Sequence, residues 1–347
     1  MSNYTRILSI DGGGIRGIIP GQILVVLEEK LKQRTNKPNA KIGEFFDLIA
    51  GTSTGGILTC IYLCPESKGS TKLRFSAKDA VDFYLKYGKE IFSISFWRKI
   101  QSFWGILDEK YPSEPIEKIL KEYFQDLKMS DLLKPCLVTA YDVEKRKACF
   151  FTQHDAKKCG DFADFFIRDI ARSTSAAPTF FEAVKIHSLS GESYALIDGG
   201  VFANNPTLCA YAEARTKLQR KSTAEELVTG NPTAKDMVIL SLGTGDIQRP
   251  YNYKEVKKWG KIQWARPLID MIMTGVAETV DFQMKQVFRT IPNPNQYLRI
   301  NPFVPANSPM SRIDNVSEEN LIALQQLGNN TAYEYSKLLD EFIEFLL

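Results

Sequence analysis

Apolar residues along this chain fall into short runs that alternate between two spacings, with glycine turns between them. Arg6 to Ile10 (RILSI) reads as a buried strand that passes directly into Asp11-Gly12-Gly13-Gly14-Ile15-Arg16-Gly17. From Ile18 to about Arg34 the spacing becomes helical, with Ile19, Ile23, Val26, Leu27 and Leu31 on one side and Glu28, Glu29, Lys30 and Lys32 on the other. A second buried strand (Phe46, Leu48, Ile49) stops at Gly51-Thr52-Ser53-Thr54-Gly55, and an apolar helix resumes at Ile57. Ser76, with Asp79 three residues on, predicts the N-cap of a helix running towards Phe92, and Ser113-Glu114-Pro115 predicts another that ends near Phe124. Residues 136–141 and 148–152 are β-rich and joined by a charged segment, so they predict a hairpin or neighbouring strands. A helix from about Ala163 is expected to end before Pro178.

The same alternation continues to the end of the chain. A strand at 194–197 runs into Asp198-Gly199-Gly200, and Asn205-Pro206 opens a helix reaching about Gln219. Residues 221–235 are polar, contain Gly230-Asn231-Pro232, and predict a surface loop. A strand at 237–242 ends in Gly243-Thr244-Gly245; a helix from about Pro267 to Phe288, a strand at 297–300 and a helical region capped by Ser317 follow. Strands alternating with helices, without an internal repeat or linker, predict one three-layer α/β/α domain over 1–347 around a mostly parallel sheet. Its motif-bearing core is 6–208, and 209–347 completes the same fold.

Composition narrows the function classes. With 347 residues, 44% of them hydrophobic and 24% charged, the chain can bury a sizeable core. A formal charge of +3 without a run of basic residues argues against a nucleic-acid partner. The N-terminus lacks the layout of a signal peptide, and no apolar stretch approaches the ~20 residues of a spanning helix, so a cytoplasmic protein is expected. Six cysteines lack C-x-x-C spacing and predict reduced, packed thiols rather than disulfides or zinc ligands. Histidine occurs only at 154 and 187.

Among the strand ends that carry glycine turns are Gly12–Gly14, Gly51–Gly55 and Gly199–Gly200, and in an open parallel sheet the carboxyl ends of the strands gather along one edge, where ligands bind. The Gly51–Gly55 turn has the form of a nucleophile elbow, with Ser53 at its tip between two glycines and ahead of a helix N-terminus. Acyl transfer needs a nucleophile, a base, and N–H donors for the oxyanion. Ser53, Asp198 and the N–H groups around Gly13 and Gly14 offer all three, with Arg16 nearby as a positive charge. Neither His154, in a polar QHDAKK segment, nor His187, before a turn, sits late in the chain where the α/β-hydrolase order places its base, which leaves a Ser-Asp dyad. A carboxylate base needs burial to lift its pKa from ~3.9 towards neutrality. Asp198 before two glycines also suits a simple turn, Asp11 suits a turn that accepts local N–H groups, and Asn204 and Asn205 suit turn and cap positions. A second class is nucleotide binding, since Gly12-x-Gly14-x-x-Gly17 satisfies G-x-G-x-x-G, although no acidic residue ends a second strand about 20 residues on.

Taken together, DGGGIRG, GTSTG, STSAAPTFF (173–181) and DGG (198–200) resemble the patatin-like phospholipases. The resemblance extends through ILSLGTG (239–245), Lys257-Lys258-Trp259-Gly260 and the YLRI strand, and so covers nearly the whole chain. It implies the patatin fold and lipid acyl ester hydrolysis without cofactor or metal. By position it implies Ser53 and Asp198 as the dyad, Gly12, Gly13 and Gly14 as the oxyanion hole with Arg16 in support, Gly51 and Gly55 as elbow glycines, and Gly199 and Gly200 as the turn behind the base. A lipid at a membrane surface is then the expected partner. Two aromatic and basic segments, 91–107 and 251–266, suit an interface or lid. Some bacterial relatives are switched on by cyclic nucleotides, and such an activator is a further expectation; the motifs do not encode the headgroup, acyl position or oligomeric state.

Overall fold

The computed structural model of the protein describes residues 4–92, 111–219, 230–248 and 250–347. Its strands are β1 Thr5–Ile10, β2 Leu48–Thr52, β3 Cys136–Asp142, β4 Lys147–Thr152, β5 Val184–His187, β6 Ser193–Asp198, β7 Met237–Leu242 and β8 Tyr297–Ile300. All join one sheet in the order β5-β6-β3-β2-β1-β7-β8, with β4 on β3 outside that path. The run β3-β2-β1-β7-β8 is parallel, while β4, β5 and β6 pair antiparallel.

Side-chain alternation divides the sheet into two buried faces. Leu8, Ile10, Ile49, Val138, Leu240 and Leu242 point to one side. There they meet α1 (Ile18–Thr35), α2 (Thr54–Leu63), α3 (Ala77–Ile91), α4 (Glu114–Phe124) and, after α5 (Gln153–Cys159), α6 (Ile167–Thr174). Ile7, Leu48, Ala50, Leu137, Met237 and Ile239 point the other way. After the short α7 (Gly200–Ala203), that face is covered by Ala210 and Ala214 of α8 (Thr207–Lys217). Beyond α9 (Tyr253–Val256), Met284 and Phe288 of α10 (Lys261–Arg289) complete the cover. Helices α11 (Glu318–Glu334) and α12 (Ser336–Leu346) pack Leu324, Leu339 and Phe342 into the first core. The architecture is therefore the expected three-layer α/β/α. No helix among the described residues is long and apolar enough to cross a membrane.

One topological detail differs from expectation and matters for the site. β4 occupies one edge of β3 along residues 137–142, so the partners on the other edge must share it. β2 takes Cys136–Thr139 and β6 takes Ala140–Asp142, so the two strands meet end to end. Asp198 thus arrives on an antiparallel strand entering from beyond the sheet, not at the carboxyl end of a parallel one. Its row partner is Ala140, immediately after Thr139, the partner of Thr52. The last residue of β6 and the residue after β2 are placed side by side.

Other differences have local causes. Glu28 is buried rather than on a solvated face: its Oε2 accepts the N–H groups of Ile42 (2.8 Å) and Ala77 (2.9 Å), and Lys32 pairs with Oε1 at 2.9 Å. The helix expected from Ala163 begins at Ile167, because the Asp164 carboxylate holds Ser130 and the N–H of Phe165 in a turn. The helix expected from Asn205-Pro206 is α8, opened by the Asn205 side chain, which accepts the Thr207 N–H at 3.0 Å; the short α7 before it is unexpected. α10 starts six residues before Pro267, its first turn held by Gln263 Oε1 on the Gly260 N–H at 3.1 Å. Residues 93–107 of the first aromatic segment and 221–229 of the expected loop lie outside the described residues.

Candidate active site

Ser53 stands between β2 and α2 with φ 54° and ψ −123°, a backbone conformation that L-residues rarely adopt. The turn is as tight as its flanking glycines suggest: a Cβ on Gly51 would lie 2.0 Å from the Gly55 carbonyl oxygen, and one on Gly55 would lie 2.2 Å from that of Ile10. The strained turn is held from one side by Thr174, whose Oγ1 accepts the Ser53 N–H at 2.8 Å. The side chain of Ser53 faces a cavity of about 940 Å³, and α2, buried throughout, aims the positive end of its dipole at that point.

Asp198 is 2% exposed. Its N–H donates to the Ala176 carbonyl at 3.0 Å, and its Oδ1 accepts the Gly200 N–H at 2.7 Å. Oδ2 has no hydrogen-bond partner among the described residues. Burial pushes the carboxyl up to about 7, against the opposing pulls of the Ser53 hydroxyl and the Gly200 N–H. The hydroxyl is therefore near enough to favour the charged carboxylate, yet it does not close a hydrogen bond on Oδ2. Such a looseness is common before substrate binds. The STSAAP stretch fixes both ends at once, Thr174 on Ser53 and Ala176 on Asp198.

The glycine loop after β1 is pinned by its carbonyls. Thr244 Oγ1 donates to the Gly12 carbonyl at 2.7 Å, and Arg16 donates to that of Gly13 through its backbone N–H (3.2 Å) and Nε (3.4 Å). In a trans peptide the N–H points opposite to the carbonyl. Pinning those two carbonyls therefore turns the Gly13 and Gly14 N–H groups to the other side; both residues line the cavity, and neither N–H has a partner among the described residues. Gly12 differs from expectation. It lies against Ser53, but its N–H donates to the Asn204 carbonyl at 3.1 Å and is not available to an oxyanion. Arg16, 8% exposed, acts on the loop through the Gly13 carbonyl.

Asp11 makes no local turn: its carboxylate takes both terminal nitrogens of Arg299 at 2.9 and 2.5 Å, and Arg299 also donates to Ser241 at 2.9 Å. Burial works against the guanidinium, but Asp11 outweighs it and holds Arg299 above its ordinary pKa. Thr207 links Ser241, Ser9 and Asn205 beneath the loop, and Asn204 Oδ1 sits between Gly12 and Gly200. Gly199 lies hard against Thr139, which is bonded to Thr52 at 2.7 Å. His154 and His187 are not among the cavity-lining residues. The dinucleotide pattern finds no support, since β2 ends in Thr52 rather than an acid. Sequence reasoning missed Thr174, Thr244 and Arg299; the STSAAPTFF, SLGTG and YLRI segments were visible, but their partners lie 121, 232 and 288 residues away.

Residues 8–211 match the family model described as "Patatin-like phospholipase". The chain belongs to the patatin-like phospholipase family. Among curated relatives, this patatin-like chain is 34% identical to "Patatin-like protein 2" of Arabidopsis thaliana, over 94% of its own length and 82% of that protein's. It is 33% identical to "Patatin-like protein 3" of the same plant, over 93% and 79%. At 31% it is also similar to "Probable inactive patatin-3-Kuras 1" of Solanum tuberosum, over 95% and 87%. Membership supports lipid acyl hydrolysis as the general activity.

Proposed function

We propose that this patatin-like protein is a phospholipase A-type serine acyl hydrolase that uses Ser53 as nucleophile and Asp198 as general base. The observation that carries this is the buried Asp198 carboxylate, with one oxygen held by Gly200, the other without a partner, and a pKa of about 7 beside Ser53. Near neutral pH the unprotonated carboxylate takes the Ser53 proton as Oγ attacks the acyl carbonyl. The oxyanion is held by the Gly13 and Gly14 N–H groups. The intermediate collapses as Asp198 returns that proton to the leaving alkoxide, the ester C–O bond breaks, and an acyl-serine remains. Water then gives a proton to Asp198 as it attacks the acyl-serine, the bond from the acyl carbon to Ser53 Oγ breaks, Asp198 returns the proton to Oγ, and the fatty acid leaves.

The cavity suits such a substrate. Ile57, Phe83, Ile91, Phe92 and Ile116 give it an apolar wall for an acyl chain, next to the polar row of Ser53, Asp198 and the glycine loop. The lipid is met at a membrane surface, where the protein associates peripherally. Lipid profiling of extracts treated with the parent, Ser53→Ala and Asp198→Asn tests the reading. Fatty acid release is expected from the parent alone, with both variants folded by circular dichroism. Full turnover by either variant would sink the dyad.

A further inference from the structure

Helix α10 carries apolar residues on two opposite sides. At 100° per residue, Met273, Ala277, Met284 and Phe288 share the inward side, where Met284 is 0% and Phe288 1% exposed and Met273 and Ala277 line the cavity. Trp264, Leu268, Met271 and Ile272 share the other, a stripe about 12 Å long at 1.5 Å per residue, and Phe282 lies further along the same side beyond Gly275, Glu278 and Thr279. Leu268 is 46%, Met271 37%, Ile272 40% and Phe282 63% exposed. An ordinary surface helix shows water a polar face here. The same helix lines the cavity with Pro267, Ile269, Asp270 and Met273, so one wall of the pocket is the back of this exposed stripe.

What lies at its N-terminal end argues for the occupant. Lys254, Lys257, Lys258 and Lys261 are exposed around a single glutamate, Glu255. Tyr251, Trp259 and Trp264 stack edge to face within this lysine-bearing segment, joining it to the start of the stripe at Trp264, with centroids 5.1 Å apart at both contacts. An exposed apolar stripe that adjoins amphipathic aromatics and a cluster of lysines combines the three side-chain types that meet the acyl region, interface and headgroup layer of a bilayer. Asp270 and Asp281 of the same helix line the cavity, and the exposed Glu278, at the cavity rim, is the one acid of the helix beside the stripe. We infer that the outer stripe of α10 is the surface on which this protein sits on an anionic lipid bilayer, with the cavity wall behind it next to the membrane. The inference rests on the reading of a membrane lipid as substrate, and its test is independent of that chemistry.

The protein is mixed with phosphatidylcholine vesicles with and without phosphatidylglycerol, and binding is measured by co-sedimentation at low and high salt. The parent is expected to bind the anionic vesicles more tightly, and salt to weaken that preference. Leu268→Glu with Ile272→Glu should lower binding to both vesicles by about tenfold or more, since the burial of apolar side chains is removed. Lys257→Glu with Lys258→Glu should lower binding to the anionic vesicles alone. None of these residues lines the cavity, so hydrolysis of a short soluble ester should match the parent in both variants while hydrolysis of vesicle lipid falls. If the parent binds vesicles but cleaves no ester, the docking face stands and the catalytic reading fails. Stripe variants that bind vesicles as the parent does would overturn the inference. So would a parent dimer, measured by sedimentation equilibrium, that the stripe substitutions dissociate, because a second copy of the chain would then be what covers this face.

Discussion

Two side chains of the proposed site each give a separable expectation. Asp198 keeps its proton up to about pH 7 in the folded protein, against 3.8 as its ordinary value. In the proposed role of base it must be unprotonated, so kcat/KM is expected to rise with pH and reach half its plateau near 7. Between 3.8 and 7 the folded state binds the extra proton, so this residue's contribution to stability is present at low pH and is lost as pH rises through that window. Asp198→Asn should therefore melt with the parent below pH 4 and increasingly above it towards pH 8, by up to about 4 kcal/mol, while being inactive. Equal melting of the two at pH 8 would mean that the carboxylate is not penalised by burial. Thr244 acts one step away, through the Gly12 carbonyl. Thr244→Val keeps the shape but frees that peptide to rotate, so kcat should fall about tenfold to a hundredfold with KM little changed, and Thr244→Ser should restore it. A Val variant with parental kcat would show that other contacts suffice to orient the loop.

At the scale of elements, the sequence made most of the sheet and its helices legible. Strand patterns at β1, β2, β3 and β7 are visible because each is a short apolar run ending in a glycine turn or a charge cluster, and Ser76 with Asp79 forms the expected reciprocal cap on α3. The elbow is legible for the same reason, since its glycines are required by contacts within a few residues or with the adjacent strand. What escaped is anything set by partners distant in sequence. The antiparallel entry of β6 is invisible in its own residues, because strand direction depends on which neighbour it pairs with. Glu28 looked like one more charge on a helix's polar face, yet it receives the N–H of Ile42 and that of Ala77, the first residue of α3. Glu28→Ala leaves two N–H groups buried without acceptors and is expected to cost about 2–4 kcal/mol in chemical denaturation, with the two ends of that staple loosening together. A loss below about 0.5 kcal/mol would mean that water or another acceptor replaces the carboxylate.

At the scale of the molecule, the family match ends at residue 211, whereas the strand carrying the glycine loop is built into the chain beyond it. β1 lies between β2 and β7, and it is paired with β7 along all six of its residues. From beyond residue 211 come Thr244, which orients Gly12, and Arg299, which holds Asp11 at the root of the loop. The C-terminal part thus completes the core and anchors the glycine loop. The Asp11–Arg299 pair separates those two contributions. Arg299→Met leaves a carboxylate 2% exposed without its cation, which is expected to cost about 3–5 kcal/mol. Adding Asp11→Leu removes the stranded charge, and packing of two apolar side chains should recover most of the melting temperature. Activity should not return with it, because the anchor that links loop, β7 and β8 is still missing. Parallel recovery of melting and ester hydrolysis in the double variant would show that the pair serves the fold alone; an Arg299→Met variant that melts with the parent would show that Asp11 is held by other groups.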